Sequence, residues 1–276
     1  MCVAFEILGP DMKAPLGWHR ASGHLIFDVK MDFTRKARWV KDGHKTPDSA
    51  TFSFAGVVSC DSIRIALTHA ALLDLPVLGA DIRNAYLQAP SSEKHFIVCG
   101  PKFGIENEGQ IALIHRALYG GKVAGRDFWH HLCDCMGQLG FTSSRADPDV
   151  WLWLSKRSTG KAYYKYVLLY VDDVLVISEN TDNVLHKEIR RHFVLREESI
   201  RPPSQYLGGK FCQVTLENGN RAWAFGSCQY VQTAVRNVED HLAKSGEKLP
   251  YKAPTPLLSG YHPEIDVSSE LGENEA

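Results

Sequence analysis

The chain has 276 residues, 44% of them hydrophobic and 23% charged, and a formal net charge of −1. That length and mix suit a soluble globular protein with a sizeable core, in one large domain or two subdomains. They exclude a globally basic nucleic-acid binder, and the longest apolar run is broken by Asp172 and Asp173, which excludes a membrane span. Charge is uneven along the chain. Residues 34–46 carry five Lys/Arg against one Asp, whereas the stretch from Leu257 onward carries five Asp/Glu and no Lys or Arg. The basic stretch suits phosphate contacts as well as it suits a solvated face. The seven cysteines form no CxxC pair, and several lie in apolar patterns, as buried thiols do in a reducing compartment. The N-terminus lacks the basic and apolar regions of a signal peptide.

Residues 1–20 are weakly patterned and read as an entry loop or edge strand. Ala21 to Val40 alternates in part, which predicts a hairpin carrying its basic residues outward, and Lys41–Asp48 has turn chemistry. Ile63, Ala66, Leu67, Ala70 and Ala71 share one helical face, with Ser59 or Asp61 to cap the start and Pro76 just past the end. Val77–Ile82 then reads as a buried strand ending on the carboxylate of Asp81, and Asn84–Leu87 continues into a turn at Pro90. His95–Cys99 and Ile111–Ile114 predict paired strands around a Gly-rich loop. Ala117–Arg126 is a loop feeding a second helix, striped by Phe128, Leu132, Cys135, Met136 and Leu139 and capped by Gly140.

Val150–Leu154 and Tyr163–Tyr170 predict two more strands. A third helix, capped near Thr181 or Asp182, places Leu185, Ile189 and Phe193 on one face, with Lys187, Arg190 and Arg191 solvating the other. Gln205–Gly208 leads into strands that turn at Asn218-Gly219, a two-residue hairpin signal. Cys228–Leu242 is a last helix, and the proline-rich, acidic remainder reads as loop or disorder. No internal repeat and no linker divides the chain.

The pattern centres on Tyr166–Ser178. Two strand-like apolar runs flank Asp172 and Asp173, which predicts a β-hairpin with both aspartates at or beside its tip. Adjacent carboxylates in apolar surroundings repel each other and resist burial, so they call for a compensating partner, of which a divalent cation is the strongest. A polar turn is the alternative, but tight turns favour Gly second, as in Asp-Gly, and here Val174 follows. The element order is that of a split βαβ arrangement, an antiparallel sheet with helices on one face. In it Asp81 and Asp172 lie on neighbouring strands. Oxygen ligands converging there suit Mg²⁺, and paired hard cations are the mark of phosphoryl and nucleotidyl transfer.

Several stretches resemble the reverse transcriptases of copia-type LTR retrotransposons. Tyr170-Val-Asp-Asp173 is similar to that family's catalytic hairpin, and Asp81-Ile-Arg-Asn-Ala-Tyr-Leu87 to its first catalytic motif. Ala117–Arg126, followed by Trp129, resembles its loop-to-helix motif beneath the templating base. Arg35-Lys-Ala-Arg38 resembles its fingers motif. Gly140-Phe141 with Asp147-Pro148, Tyr206-Leu-Gly208 and Gln229-Tyr-Val231 are further landmarks in the right order. The likeness spans roughly residues 20–245. One departure is Lys122-Val-Ala-Gly-Arg126 where the family commonly has Lys-Gln-Ala-Pro-Arg, which loosens template contacts there but not metal binding.

The resemblance implies an α+β polymerase with a ferredoxin-like palm: fingers over 1–76 and 93–125, palm over 77–92 and 126–210, and over 211–276 a primer-side hairpin, a short partial thumb and a disordered acidic tail. It implies RNA-directed DNA synthesis with two Mg²⁺ ions, or Mn²⁺ in their place, held by Asp81, Ile82, Asp172 and Asp173. It implies nucleotide contacts from Lys36, Arg38, Tyr86, Tyr119 and Lys122, and primer-side contacts from Tyr206, Leu207 and Gly208. Its partners would be an RNA or DNA template with primer, dNTPs, and the ribonuclease H and integrase parts of a polyprotein, with no membrane. The expected location is the cytoplasm, virus-like particles or the nucleus, not the exterior. The short thumb and the missing polyprotein parts leave a second reading, an inactive remnant that only binds nucleic acid.

Overall fold

The two apolar runs around the aspartate pair form the middle of a sheet in the computed structural model, which describes residues 3–29, 35–47, 52–206, 209–226 and 228–249. In chain order the elements are β1 (Phe5–Ile7), β2 (His19–Arg20), β3 (Gly23–Val29), β4 (Arg35–Lys41), α1 (Cys60–Leu72), β5 (Val77–Asp81), α2 (Ala85–Gln88), β6 (Pro90–Val98), β7 (Ile111–Arg116) and α3 (Ala124–Gln138). They continue with β8 (Thr142–Ser143), β9 (Val150–Lys156), β10 (Ala162–Tyr170), β11 (Asp173–Ile177), β12 (Gln205–Tyr206), β13 (Gly209–Thr215), β14 (Arg221–Gly226) and α4 (Cys228–Ala243). The chain divides into two compact units, Met1–Gly226 and Ser227–Ala276. The sequence shows no linker at that point. Among the described residues no helix is long and apolar enough to cross a membrane.

The central sheet is antiparallel, in the order β5-β11-β10-β9-β8. A second sheet runs β1-β7-β6-β2, and β3–β4 and β12–β13–β14 form two smaller ones. The central strands read as unbroken apolar runs because both faces of the sheet are covered. Val167, Leu169, Val174 and Val176 face Phe128, Leu132 and Met136 of α3 together with Leu185 and Ile189. Leu168, Leu175 and Ile177 face Ile63, Leu67 and Ala70 of α1 together with Phe211. Each fully buried Leu or Ile contributes about 1.5–3 kcal/mol by leaving water. The expected one-sided backing by helices is therefore corrected: α1 and β13 close the other face.

Ser59 caps α1, its hydroxyl accepting from the Ser62 amide at 3.2 Å, while its own amide donates to Asp147 at 2.9 Å. Gly140 follows α3 with φ at +91°, the left-handed cap that glycine adopts without strain. Three local expectations change. The stretch after Asp182 is a π-helical turn (Asn183–Glu188) and a 3-10 turn (Ile189–Arg191), although Leu185, Ile189 and Phe193 are buried as expected. Apolar residues four apart do not tell an i→i+4 ladder from an i→i+5 one. Asn84–Leu87 is a left-handed residue followed by the short helix α2, and Pro90 opens β6. The β13–β14 turn is longer than two residues, since Leu216 and Asn220 still pair (2.8 Å) and Gly219 takes φ +79°.

Candidate active site

The ladders place the carboxylates. In the β5–β11 pair Asp173 lies directly opposite Asp81, and in the β10–β11 hairpin Tyr170 lies opposite Asp173. Val171 and Asp172 are thus the two loop residues of the hairpin. The Asp172 carbonyl accepts from the Ile82 amide at 2.7 Å, which extends the β5–β11 contact into the turn. Directly opposed residues of an antiparallel pair have Cβ atoms about 4.5–5.5 Å apart, so two carboxylates there repel. Strand alternation puts Asp173 on the face of Leu175 and Ile177, at the open end of the sheet. Val171 holds φ at +52°, a conformation that a β-branched side chain disfavours. Strain of that kind collects at sites where the surroundings over-determine the backbone.

The other edge of β5 is also occupied. The backbone amide of Arg83 donates to the Val194 carbonyl (2.9 Å), that of Arg196 to the Asp81 carbonyl (2.9 Å), and that of Gly79 to the Arg201 carbonyl (2.8 Å). The Asp81 amide donates to the Ser199 hydroxyl at 2.8 Å. The Arg196 guanidinium lies 3.5 Å from the Asp81 carboxylate. Arg196 and Ser199 carry no motif signal, since they come from an irregular segment that only the folded chain brings against β5.

Burial pushes the Asp173 carboxyl up to about 6, with the charges of Asp172 and Asp81 adding to the shift and Arg196 opposing it. The folded state therefore binds a proton more readily than the unfolded chain, whose aspartates titrate near 3.8. This group destabilises the metal-free protein fully above pH about 6, and the penalty fades as pH falls through that value towards the unfolded one. Melts in EDTA at about pH 7.5 and about pH 5 should show the parent gaining stability relative to Asp173→Asn at the lower pH. Parallel pH slopes for the two proteins would mean that Asp173 carries no such shift.

A wall of aromatic and basic groups stands beside the carboxylates. Asn84, which tolerates φ +51°, turns the chain out of β5 and into α2, so that Tyr86 lies 4.9 Å from the Tyr119 ring and 6.0 Å from Phe128. Burial raises the Tyr86 hydroxyl pKa, and the Asp172 charge adds to the rise. Tyr119 is raised likewise by burial and by Asp172, with the Arg38 charge opposing. The Arg38 guanidinium stands 5.8 Å from the Tyr119 ring centre, and its Nε is buried with no hydrogen-bond partner among the described residues.

Lys36 is half-buried two residues nearer the hairpin tip, opposite Asp28, and Arg35 is exposed, so the basic residues of β4 do not all point outward. Lys41 is buried. Lys122 donates to the Thr46 carbonyl at 2.9 Å. Ile82 has its side chain in the core, which leaves its carbonyl as the atom it offers a cation. Tyr206 ends β12, while Leu207, Gly208 and the acidic tail lie outside the described residues.

The donor chemistry fits Mg²⁺. Three carboxylates come from one strand, its neighbour and the turn between β10 and β11, and burial together with the charges of Asp172 and Asp81 raises the Asp173 pKa. Among the described residues no three His, Cys, Asp or Glu side chains converge closely enough to hold an ion alone. Mg²⁺ needs no such cage, because it keeps waters and takes further ligands from substrate phosphates.

Comparison with known proteins gives the class. Residues 10–239 match the family described as reverse transcriptase (RNA-dependent DNA polymerase), and the chain belongs to that family. More particularly, it is similar to the Pol polyproteins of copia-type retrotransposons. The retrovirus-related Pol polyprotein from transposon TNT 1-94 of Nicotiana tabacum is 28% identical over 243 residues, 84% of this chain and 18% of that protein. The corresponding polyprotein from transposon RE1 of Arabidopsis thaliana is 31% identical over 157 residues, 56% of this chain and 10% of that one. The chain thus spans less than a fifth of the length of these relatives.

Proposed function

We propose that the chain is an RNA-directed DNA polymerase that joins dNTPs to a primer 3′-hydroxyl on an RNA or DNA template. The observation that carries this reading is the register of Asp173 against Asp81 with Asp172 in the adjoining turn. Two Mg²⁺ ions bound there would stabilise charge on the α-phosphate and lower the pKa of the primer hydroxyl. Asp81, Asp172 and Asp173 are their ligands, and Arg196 holds Asp81 in place from the other side of β5. Arg38, with its unmatched Nε, binds the triphosphate, and Lys36 neutralises phosphate further along β4. Tyr86 and Tyr119 line the sugar and base side of the incoming nucleotide.

In this reading the central sheet with α1 and α3 is the palm, β3–β4 and the β1-β7-β6-β2 sheet are the fingers, and β13–β14 faces the primer. The helix α4 is the start of a thumb. Ribonuclease H and integrase activities belong to other parts of a Pol polyprotein. The test is extension of oligo-dT on poly-rA by the purified chain, with Mg²⁺ and with EDTA. Mg²⁺-dependent product supports the reading. Salt-sensitive binding of template and primer without extension would leave a nucleic-acid-binding module in its place.

A further inference from the structure

The charged cluster of Lys41, Glu93 and His95 has no part in the chemistry above. Lys41 is 4% exposed and His95 5% exposed. The Lys41 ammonium donates to Glu93 Oε2 at 2.6 Å and to His95 Nδ1 at 2.9 Å. An ammonium has no lone pair, so Nδ1 is the accepting nitrogen of that ring. Burial would raise the Glu93 carboxyl, but the neighbouring His95 and Lys41 outweigh it and hold it at about 2. A buried ion pair of this kind is no gain in itself, since desolvation offsets most of the attraction. Its value lies in what it fixes.

It fixes two sheets and a loop. Lys41 ends β4 of the β3–β4 hairpin, whereas Glu93 and His95 belong to β6 of a different sheet. The loop Tyr119–Lys122 sits directly on this junction. The Lys41 amide donates to the Tyr119 carbonyl at 2.8 Å. A Cβ added to Gly120 would come 2.2 Å from the Lys41 carbonyl, and one added to Gly121 would lie 3.6 Å from the Lys41 ammonium. Gly120 also holds φ +79°, so no other residue takes its place without strain. The loop is closed on its far side by Lys122, whose ammonium reaches the Thr46 carbonyl.

We infer that Lys41 is a positioning residue for the nucleotide site: its buried ammonium latches β4 onto β6 while its amide holds the Tyr119–Lys122 loop, and together they set Arg38 and Tyr119 against the carboxylates. Arg38 is three residues before Lys41 on the same strand, and Tyr119 is the residue whose carbonyl Lys41 holds. The inference rests on the polymerase reading for its kinetic consequence but not for its structural one.

Two variants separate positioning from mere stability. Lys41→Met strands a buried carboxylate, whereas Lys41→Met with Glu93→Gln removes both charges and the latch together. Both should raise the KM for dTTP on poly-rA/oligo-dT at least about tenfold, about 1.4 kcal/mol, and leave kcat within about threefold. The melting temperature should fall in the single variant and return towards the parent in the double one. A KM that returned with it, or did not move in either variant, would overturn the inference. Hydrogen exchange supplies a readout independent of activity. The Lys41 and Gly121 amides should exchange faster in both variants, and unchanged protection would overturn the latch. Should the parent chain extend no primer, the polymerase reading fails and the exchange result alone decides on Lys41.

Discussion

Primer extension by Asp172→Asn is expected to fall at least about 10³-fold, about 4 kcal/mol at the transition state, with the fold intact. The substitution keeps the shape of the side chain and removes one oxygen charge from the ligand set. It leaves the hairpin alone, because what ties Asp172 to β5 is its carbonyl, which accepts from Ile82. It also takes away one of the charges that push the Asp173 carboxyl upward. The metal-free variant should therefore melt at or above the parent temperature while losing its activity. Turnover close to that of the parent would remove Asp172 from the site. A large drop in melting temperature would mean that the carboxylate has a structural role instead.

Tyr86→Val is expected to admit ribonucleotides at least about tenfold better relative to deoxyribonucleotides, roughly 1.4 kcal/mol of lost discrimination. Tyr86 projects from the short helix that follows Asp81, beside Tyr119, and it feels the Asp172 charge. In the proposed polymerase reading, a ring in that position would lie against the sugar of a nucleotide whose triphosphate is held at the carboxylates. A 2′-hydroxyl would collide with it or lose hydration without gaining a partner. Tyr86→Phe should change little. The hydroxyl lies 3.9 Å from where a Cβ on Gly125 would stand, so it points to the start of α3 rather than forming the wall. The measurement is the ratio of kcat/KM for dGTP and GTP in single-nucleotide extension. A parent-like ratio in Tyr86→Val would make Tyr86 an ordinary packing aromatic.

The strands and carboxylates of this site were legible in the sequence because they obey local rules. Tyr166–Ser178 reads as two strands about a turn from composition alone, and Val77–Asp81 ends on its carboxylate as expected. α1 and α3 announce themselves by periodicity, and their caps fall at Ser59 and Gly140. What sequence does not carry is long-range register. Nothing local says that Asp173 rather than Asp172 faces Asp81, nor that residues 194–201 line the outer edge of β5. Arg196 is invisible for that reason. Lys41 stands among turn residues in the sequence, and a lysine there looks solvated until Glu93 and His95 arrive from another sheet. The two-sided core is hidden for a related reason: an apolar run reports burial but not which elements supply it.

The pairing of β11 with β5 has a consequence for how this chain tolerates length changes. Side chains alternate with a period of two, so adding or deleting one residue within Asp173–Ile177 would invert every position beyond the change. A deletion at Val174 would bring Leu175 and Ile177 to the α3 face and Val176 to the α1 face, two packed cores repacked at once. An insertion between Asp81 and Ile82 would move the amide that holds the Asp172 carbonyl. The turn Glu217–Gly219 has no such coupling, since its residues are exposed. Drift in loop length is therefore open to the β13–β14 end of the fold and closed to the strands that carry the aspartates. A library of single-codon insertions scored for soluble expression would map that boundary directly.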